Sequence, residues 1–485
     1  MVDFELIKGR IQKHTQSSII HNSLELLNEV QRRNDKSFPI WNLLVLIKWT
    51  YLYTTDSFLR APIKTHEFNQ LLTLIREFET KYHGLSFRNK RQVSQSFRII
   101  AYQQFALQDS FHNSILSRQI VLYLKLTGSF DIAKAFENLS SIKLQSFLEY
   151  CYFTFFFFHF DKLNQNFRYE GDLFESYFTL FKSKWSSVEL DKFLSLLTIR
   201  DKEDFERLHK LNNERLQLYE TSFFVTKPFL FFKGKYRLTH RAVFTQTVKH
   251  FIYNYLKGNC SDFPREFGRR LERYLELGLK QNSIDFENET ALKRKYNLSK
   301  VSDFSIEPDI LIEAKGIELH PRSGVIRTKD LLTNDLDKTI INAYIQLLST
   351  ASIIDPSKQW WGIIVTYKEM YLGFGADAWE EFLKESIEKY CSTNSINLYV
   401  LPPENLFFIN VEDWDHIMQV IHERKASLKQ ILVKAKQLNA SPNMLEHVMM
   451  MEQVLKTHFA IESFTLSYLA HPYQELDILP HKEFF

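Results

Sequence analysis

The feature of this sequence that most restricts its fold is the scarcity of residues that make turns. The chain of 485 residues holds only 13 glycines and 12 prolines, about 5% of the total, where average usage gives roughly 12%. A sandwich or propeller of many short strands needs more turns than this, so long helices are favoured. The 43 phenylalanines are sufficient for a large apolar core.

The N-terminal half has apolar residues at helical spacing. In segments such as 23–33 and 69–82 they recur every three or four positions. Breaks in this pattern near Lys227 and Gly234 mark a candidate boundary. We therefore predict an all-α domain over residues 1–235, with a regulatory, partner-binding or substrate-recognition role.

A mixed pattern begins after about residue 260. It consists of predicted helices at 267–282, 335–354 and 377–391, and predicted strands within 301–319 and at 362–367 and 396–401, with a hairpin return at 370–374. This order indicates an α/β domain, which we place at 236–415, followed by a helical C-terminal extension over 416–485. The expected fold class is therefore mixed α+β.

Charge and cysteine content narrow the functional classes. The net charge of +3 is too small to indicate a nucleic-acid partner by itself, so any basic surface must be local. The three cysteines, Cys151, Cys260 and Cys391, are far apart and suggest neither a metal site nor a disulfide framework, which favours the cytoplasm.

The most apolar run, 150–160, has 11 residues. A membrane span takes about 20, so we predict a buried helix and no membrane partner.

The chemically informative segment is 301–316, which is predicted to form two short strands around a turn centred on Pro308. In that register Asp303 lies opposite Glu313, and Lys315 shares their face of the hairpin. Opposed β-carbons lie about 4.5–5.5 Å apart, so the two carboxylates repel each other unless a cation lies between them. Mg²⁺, with oxygen ligands at about 2.0–2.1 Å, would satisfy both. The other face of the hairpin is predicted to pack under a helix and carries Phe304, Ile306, Ile310, Ile312 and Ala314.

These residues also carry a resemblance to a known family. Asp303, followed ten residues later by Glu313-Ala314-Lys315 on an apolar strand, resembles the core of the PD-(D/E)XK (restriction-endonuclease-like) nucleases. An acid-x-Lys triplet also occurs at 79–81 and at 423–425, but both lie in helical patterns, where positions i and i+2 do not share a face. The triplet at 313–315 alone has a strand setting and an opposed aspartate.

The surrounding elements extend the resemblance. The segment 267–274 resembles the helix before the nuclease core, which often supplies another acidic residue, here Glu272. The helix with Lys338 and Gln346 resembles the one after the core strand. The resemblance covers about residues 260–415 and implies a restriction-endonuclease-like α/β domain that uses Mg²⁺ or Mn²⁺ to hydrolyse phosphodiester bonds.

The resemblance implies a role for each residue of the site. Asp303 and Glu313 would bind the metal with the backbone carbonyl of Ala314. Lys315 would orient or help deprotonate the attacking water and balance charge on the scissile phosphate, while Glu272 would hold a second metal or a bound water. In-line hydrolysis with metal stabilising the attacking and leaving oxygens would follow.

The literal Pro-Asp pair of the family is matched in letters by Pro308-Asp309. On one extended strand, however, Asp309 and Glu313 lie about 13 Å apart. We therefore interpret Asp309 as a turn residue and assign the metal-binding aspartate to Asp303.

Candidate substrate contacts lie around this core, where basic side chains could meet phosphates. They are Lys338, Gln346, Lys293, Arg294, Lys295, Arg322 and Arg327. The expected partner is nucleic acid, with DNA favoured over RNA because most of the family acts on DNA. Cutting a duplex with one site per chain would favour a homodimer, and the helical N-terminal part suggests a protein partner. The resemblance also makes a role in bacterial antiphage defence plausible.

Other interpretations remain open. The carboxylates and lysine could form a solvated cross-strand salt bridge, worth at most about 1 kcal/mol. Glu272 could equally form an exposed helix ion pair with the arginines around it. An RNA nuclease with the same metal site, an inactive nuclease fold that binds nucleic acid or protein, and a purely helical scaffold are the alternative functions.

Overall fold

The structure is a computed structural model. It describes residues 3–33, 35, 38–83, 90–108, 111–160, 187–208, 218, 222–298, 300–306, 308–317, 332, 334, 336–442 and 446–476. The fold is mixed α+β, with helices surrounding two small sheets, in agreement with the predicted class. None of the helices in these ranges is both long and apolar enough to cross a bilayer.

The N-terminal part is dominated by helices. Within the described ranges they are α1 (Phe4–Ile11), α2 (Gln16–Arg33), α3 (Ile40–Tyr53), α4 (Thr65–His83), α5 (Lys90–Gln104), α6 (Asn113–Ile120), α7 (Ile132–Ser140), α8 (Leu144–Phe160), α9 (Ser187–Leu196), α10 (Lys202–Leu208) and α11 (Ser222–Thr226). Their starts follow local chemistry; the Asp131 carboxylate, for example, accepts a hydrogen bond from the Lys134 backbone N–H at 3.0 Å and caps α7.

This part is not all-helical, which corrects the prediction for residues 1–235. It contains a three-stranded sheet of β1 (Thr198–Ile199), β2 (Phe229–Phe232) and β3 (Lys235–Leu238). The predicted boundary near Gly234 is the tip of the β2–β3 hairpin, where Lys233 and Gly234 both have positive φ, as a two-residue type I′ turn requires. Periodicity could not identify β2 because a short, continuous apolar run fits a buried helix as well as a strand.

The second sheet has five strands in sequential order. They are β4 (Phe286–Asn288), β5 (Phe304–Ile306), β6 (Ile310–Lys315), β7 (Trp361–Thr366) and β8 (Leu406–Asn410). Strands β4, β5 and β6 pair antiparallel, whereas β6, β7 and β8 pair parallel. The predicted strands at 301–319 and 362–367 are confirmed.

The predicted strand at 396–401 is wrong, and the fifth strand lies further along the chain. Residues Leu398–Val400 form a 3₁₀ turn, because the Asn397 side chain accepts a hydrogen bond from the Tyr399 backbone N–H at 2.9 Å. The chain then passes two prolines before β8 begins. The predicted hairpin return at 370–374 is also wrong, since that segment runs into a helix that begins at Gly375.

The remaining described helices follow or cover the second sheet. They are α12 (Arg241–Asn259), α13 (Phe263–Gln281), α14 (Glu289–Tyr296), α15 (Asn342–Ile354), α16 (Gly375–Ala378), α17 (Lys384–Asn394), α18 (Val411–His422), α19 (Leu428–Asn439), α20 (Met451–His458) and α21 (Ser467–Ala470). π-helical turns at Asp337–Ile341 and Trp379–Leu383 lead into α15 and α17. The helical character predicted for the C-terminal extension is confirmed for its described residues.

The second sheet is a middle layer between two apolar clusters. One face, including Ile312 and Val365, packs with residues of α13 such as Leu271. The other face, including Leu311, packs with α15. The first cluster also contains buried residues of α6, α8 and α12, so it extends across position 235. The predicted division at 235 stays a prediction, while this core draws on both sides of it.

Buried ion pairs also join distant parts of the chain. Arg118 on α6 donates to Asp415 at 2.7 Å and to Glu412 at 3.0 Å, both on α18. Lys249 on α12 donates to Glu412 at 2.7 Å, and the Tyr274 hydroxyl donates to Asp415 at 2.8 Å. Four helices therefore meet through one charged network that is largely withdrawn from water.

Breaking this network from one side should be costly. We expect Arg118→Met to lower the free energy of unfolding by about 3–5 kcal/mol, because two acidic side chains lose a buried counter-charge. Lys384→Met is the matched control, since Lys384 forms an exposed pair with Glu380 on one helical stretch, and exposed pairs contribute little to stability. Urea unfolding measures both variants, and equal losses would contradict the assignment.

Candidate metal-dependent active site

The hairpin of β5 and β6 has the predicted register. Phe304 pairs with Ile312 and Ile306 with Ile310, so Asp303 lies directly opposite Glu313. The predicted apolar face is confirmed, because its five residues all belong to the cluster that packs with α13. The alternation along both strands therefore brings the two acidic side chains to the opposite face, at the end of the hairpin far from the turn.

The two acidic residues are linked through the backbone. The Ala314 N–H donates to Oδ2 of Asp303 at 2.7 Å, and the Asp303 N–H donates to Oε2 of Glu313 at 3.3 Å. Strand β5 begins only at Phe304, so the Asp303 carboxylate takes the place of a strand partner for Ala314. A residue's N–H and C=O point to the same edge of a strand, which directs the Ala314 carbonyl toward Asp303.

Lys315 completes this face of the hairpin. Its ammonium contacts Oε1 of Glu313 at 2.5 Å. The Glu313 side chain is 1% exposed and that of Lys315 is 26% exposed. Glu313 is therefore fixed in the interior, whereas the lysine reaches from it toward solvent.

Glu272 approaches the same group from α13. Burial, together with the charges of Asp303 and Glu289, raises its pKa to about 7, against the lowering effect of Lys315 and Arg269. Glu272 is therefore close enough to Asp303 and Lys315 for their charges to affect its pKa. The alternative of an exposed helix ion pair does not fit its half-buried position.

The pKa values of Asp303, Glu313 and Lys315 are all raised in this site. Burial raises the pKa of Asp303 to about 6 and raises the pKa of Glu313 well above its usual range, with Asp303 adding to the second effect. Burial lowers the pKa of Lys315, but Glu313, Asp303 and Glu272 outweigh that effect and raise it overall. A further cation would stabilise the ionised forms of Asp303, Glu313 and Glu272 in this environment.

The donor chemistry fits a hard divalent cation. Carboxylate oxygens of Asp303 and Glu313 and the Ala314 carbonyl are ligands that Mg²⁺ accepts, and Mg²⁺ commonly uses one or two protein carboxylates with water completing its shell. Within the described ranges, no group of three or more His, Cys, Asp or Glu side chains is arranged to hold a metal ion. A metal here would therefore be held by two carboxylates, one carbonyl and water.

Asp309 lies where a turn residue was expected. It sits at the opposite end of β6, where Lys429 donates to its Oδ2 and its backbone carbonyl accepts from the Trp361 N–H at 2.8 Å. It is therefore separated from Glu313 by the length of the strand, as predicted.

The predicted substrate contacts have different placements. Gln346 donates to the Val301 carbonyl and so positions the chain that leads to Asp303. Lys293 pairs with Glu289 at 2.6 Å and lies close enough to affect Asp303. Lys295 pairs with Glu287 at 2.9 Å, and Arg294 is exposed on α14. The Lys338 side chain, Arg322 and Arg327 lie outside the described residues.

Two supporting residues were missed by the sequence analysis. The Thr350 hydroxyl accepts from the Ser302 N–H at 2.9 Å and, with Gln346 one turn earlier on α15, holds the backbone just before Asp303. The Tyr253 hydroxyl donates to the carbonyl of Gly316 at 2.8 Å. Only the i, i+4 spacing of Gln346 and Thr350 was visible in the sequence, and it does not identify a partner.

Comparison with known proteins gives no further guidance: no family model, curated protein or solved structure matches the chain.

The raised pKa values predict how this site affects stability without metal. Glu272 is protonated in the folded protein up to about pH 7 but ionises near pH 4.3 when unfolded. The stability that protonated Glu272 gives the folded protein is therefore fully present below about pH 4.3, and it is lost as pH rises through about 7. In EDTA, the free energy of unfolding of wild type should fall between pH 5 and pH 8. We expect this fall to be smaller in Glu272→Gln by roughly 1–3 kcal/mol.

Urea unfolding of wild type and variant at both pH values measures this difference. Glu276→Gln is the control, because Glu276 lies on the same helix and pairs with Lys280 near the surface. Parallel pH profiles for wild type and Glu272→Gln would show that Glu272 is not held in a buried acidic group.

Proposed function

We propose that this protein is a metal-dependent nuclease that hydrolyses phosphodiester bonds. The observation that carries the proposal is the placement of Asp303, Glu313 and Lys315 on one face at the open end of the β5–β6 hairpin. The strand register sets the two acids opposite each other, the Ala314 N–H donates to Asp303, and Lys315 contacts the buried Glu313. A solvated salt bridge would not require two carboxylates that are withdrawn from water.

The residues that would hold Mg²⁺ are Asp303, Glu313 and the Ala314 carbonyl. No described residue donates a hydrogen bond to Oδ1 of Asp303, which leaves that oxygen for a cation. When bound, the metal would supply charge stabilisation for the attacking and leaving oxygens of the phosphodiester. The raised pKa values of the two acids support this proposal, because a nearby cation would stabilise their ionised forms.

Lys315 is suited to the phosphate. Its raised pKa keeps the side chain protonated at neutral pH, so in this state it donates hydrogen bonds and balances charge rather than removing a proton. Its partly exposed position lets the ammonium meet a phosphate oxygen and orient a water next to it. Glu272, with a pKa near neutrality, would hold a second water and exchange a proton with it.

The choice of DNA over RNA rests on the resemblance to PD-(D/E)XK nucleases. The same site chemistry suits either backbone. We also propose that two copies of the chain pair to cut a duplex. The helical N-terminal part is proposed to bind a protein partner.

Cleavage should depend on the lysine of the site. With Mg²⁺ present, we expect wild type to cut at least one substrate in a panel of duplex DNA, single-stranded DNA and structured RNA. Lys315→Ala should lower the rate about 10²–10³-fold, the range found when a donor that stabilises transition-state charge is removed. Lys384→Ala, which removes an exposed lysine elsewhere, should cut at the wild-type rate. Equal activity of the two variants would refute the catalytic assignment.

Metal binding should be visible without catalysis. We expect millimolar Mg²⁺ to raise the melting temperature of wild type, since a ligand that binds only the folded state stabilises it. The shift should be larger at pH 8 than at pH 5.5, because the carboxylates must lose their protons before they bind metal. Asp303→Asn should abolish the shift, whereas Asp309→Asn should keep it. A Mg²⁺ shift that survives Asp303→Asn would place the metal elsewhere.

A further inference from the structure

An exposed arginine lies beside the candidate active site without a carboxylate partner. The cations that lower the pKa values of the acidic residues in the site include Lys315, Lys293 and Arg269. The two lysines each contact a carboxylate, at 2.5 and 2.6 Å. Arg269 is exposed, and among the residues that the structure describes it has no hydrogen-bond or ion-pair partner. Its guanidinium therefore keeps its donors for a ligand.

Arg269 shares the exposed face of α13 with Glu272. The two residues are three positions apart, so their side chains are neighbours on the surface of the helix. Phe267, Arg270 and Leu271, which surround them in the chain, are turned inward and buried. The arginine is therefore open to solvent within reach of the acidic site.

The same turn of α13 packs against the end of the strand that carries Lys315. A β-carbon added to Gly316 would lie 3.1 Å from Cδ1 of Phe267 and 3.7 Å from Cα of Gly268. Gly316 follows Lys315 in the chain. The part of α13 that holds Arg269 therefore borders the lysine end of β6.

Gly268 leaves the surface next to Arg269 uncovered. A β-carbon added to Gly268 would meet no atom within 4 Å, so the packing of α13 does not require a glycine there. Glycine inside a helix is destabilising relative to alanine, and it is used where a ligand approaches the backbone closely. The open surface at Gly268 would let an extended ligand pass between Arg269 and Lys315.

We propose that Arg269 binds a backbone phosphate of the nucleic acid next to the scissile one, and that the nucleic-acid backbone passes over Gly268. The inference rests on the proposed nuclease function and adds a substrate contact on α13. A guanidinium suits this role because its planar set of N–H donors matches the oxygens of a phosphate. Lys315 would contact the scissile phosphate while Arg269 holds its neighbour.

Kinetics with a long and a minimal substrate test this contact. Bis(4-nitrophenyl) phosphate has one phosphodiester and no neighbouring phosphate, so Arg269→Gln should hydrolyse it at the wild-type rate. For an oligonucleotide that wild type cleaves, KM of Arg269→Gln should rise about tenfold, the effect of losing one hydrogen bond to a charged group, while kcat stays the same. Arg33→Gln is the matched control, because Arg33 is an exposed arginine on α2 that pairs with Glu29. It should match wild type on both substrates.

Binding supplies a second measurement that does not need catalysis. The probes are fluorescein-labelled single-stranded DNA, duplex DNA and structured RNA, and the background protein is Lys315→Ala. Adding Arg269→Gln should lower the slope of log affinity against log salt by about 0.7 on a single strand or about 0.9 on a duplex, the contribution of one phosphate contact. Adding Arg33→Gln should leave the slope unchanged.

A further variant tests the path of the backbone over α13. Gly268→Leu covers the open surface with a residue that favours the helix, so its melting temperature should equal or exceed that of wild type. Its affinity for the bound nucleic acid should fall about tenfold, because a bulky side chain would occupy space that the ligand needs. Gly9→Leu is the control, since Gly9 also lies within a helix, α1, and an added β-carbon there meets no atom within 4 Å.

Each outcome decides one of the two proposals. Equal salt slopes for the Arg269 and Arg33 variants, equal loss of activity on both substrates, or no binding to any probe would overturn the phosphate contact. Equal affinities of the two leucine variants would overturn the path over Gly268. If wild type cleaves neither substrate but the slope still falls by about 0.7–0.9, Arg269 stands as a nucleic-acid contact and the nuclease function fails.

Discussion

The arrangement of the site depends on one physical constraint, the opposition of two carboxylates at the end of a buried hairpin. Asp303 and Glu313 face each other because the turn at Pro308 sets the register, and the register is held by apolar side chains on the reverse face. A slip of one residue would turn the acids into the core that packs with α13. The apolar packing that stabilises the sheet therefore also keeps both carboxylates on the face away from that core.

The excess of negative charge at this point is what gives the site its chemical character. The Lys315 ammonium contacts Glu313 directly, while burial, with neighbouring acidic groups, raises the pKa of Glu272 and of Asp303. Buried acidic groups with strongly raised pKa values are common at functional sites. The proposal of a metal-dependent nuclease explains both the cost and the open, partly exposed position of the lysine.

The hairpin could be predicted from the sequence because all its determinants are local. Pro308 centres the turn, and alternation over a few residues assigns each side chain to a face. The strand was instead predicted at 396–401, where the residues alternate. The Asn397 side chain diverts that segment into a turn, and β8 follows it. The pairing of Arg118 with Asp415 joins positions 297 residues apart, and no local pattern carries information about such a contact. The support that α15 gives to Asp303 was invisible for the same reason, since Thr350 meets Ser302 only in the folded chain.

The apolar cluster that packs on the α13 side of the sheet has a consequence for how this chain can be divided. Leu148 on α8 and Phe251 on α12 belong to the same core as Ile312 on the strand that carries Glu313. A truncated protein that starts at residue 236 would leave part of that core exposed to water and would lose Arg118 from its buried network. We therefore expect the part of the chain after residue 235 to need the preceding helices in order to fold.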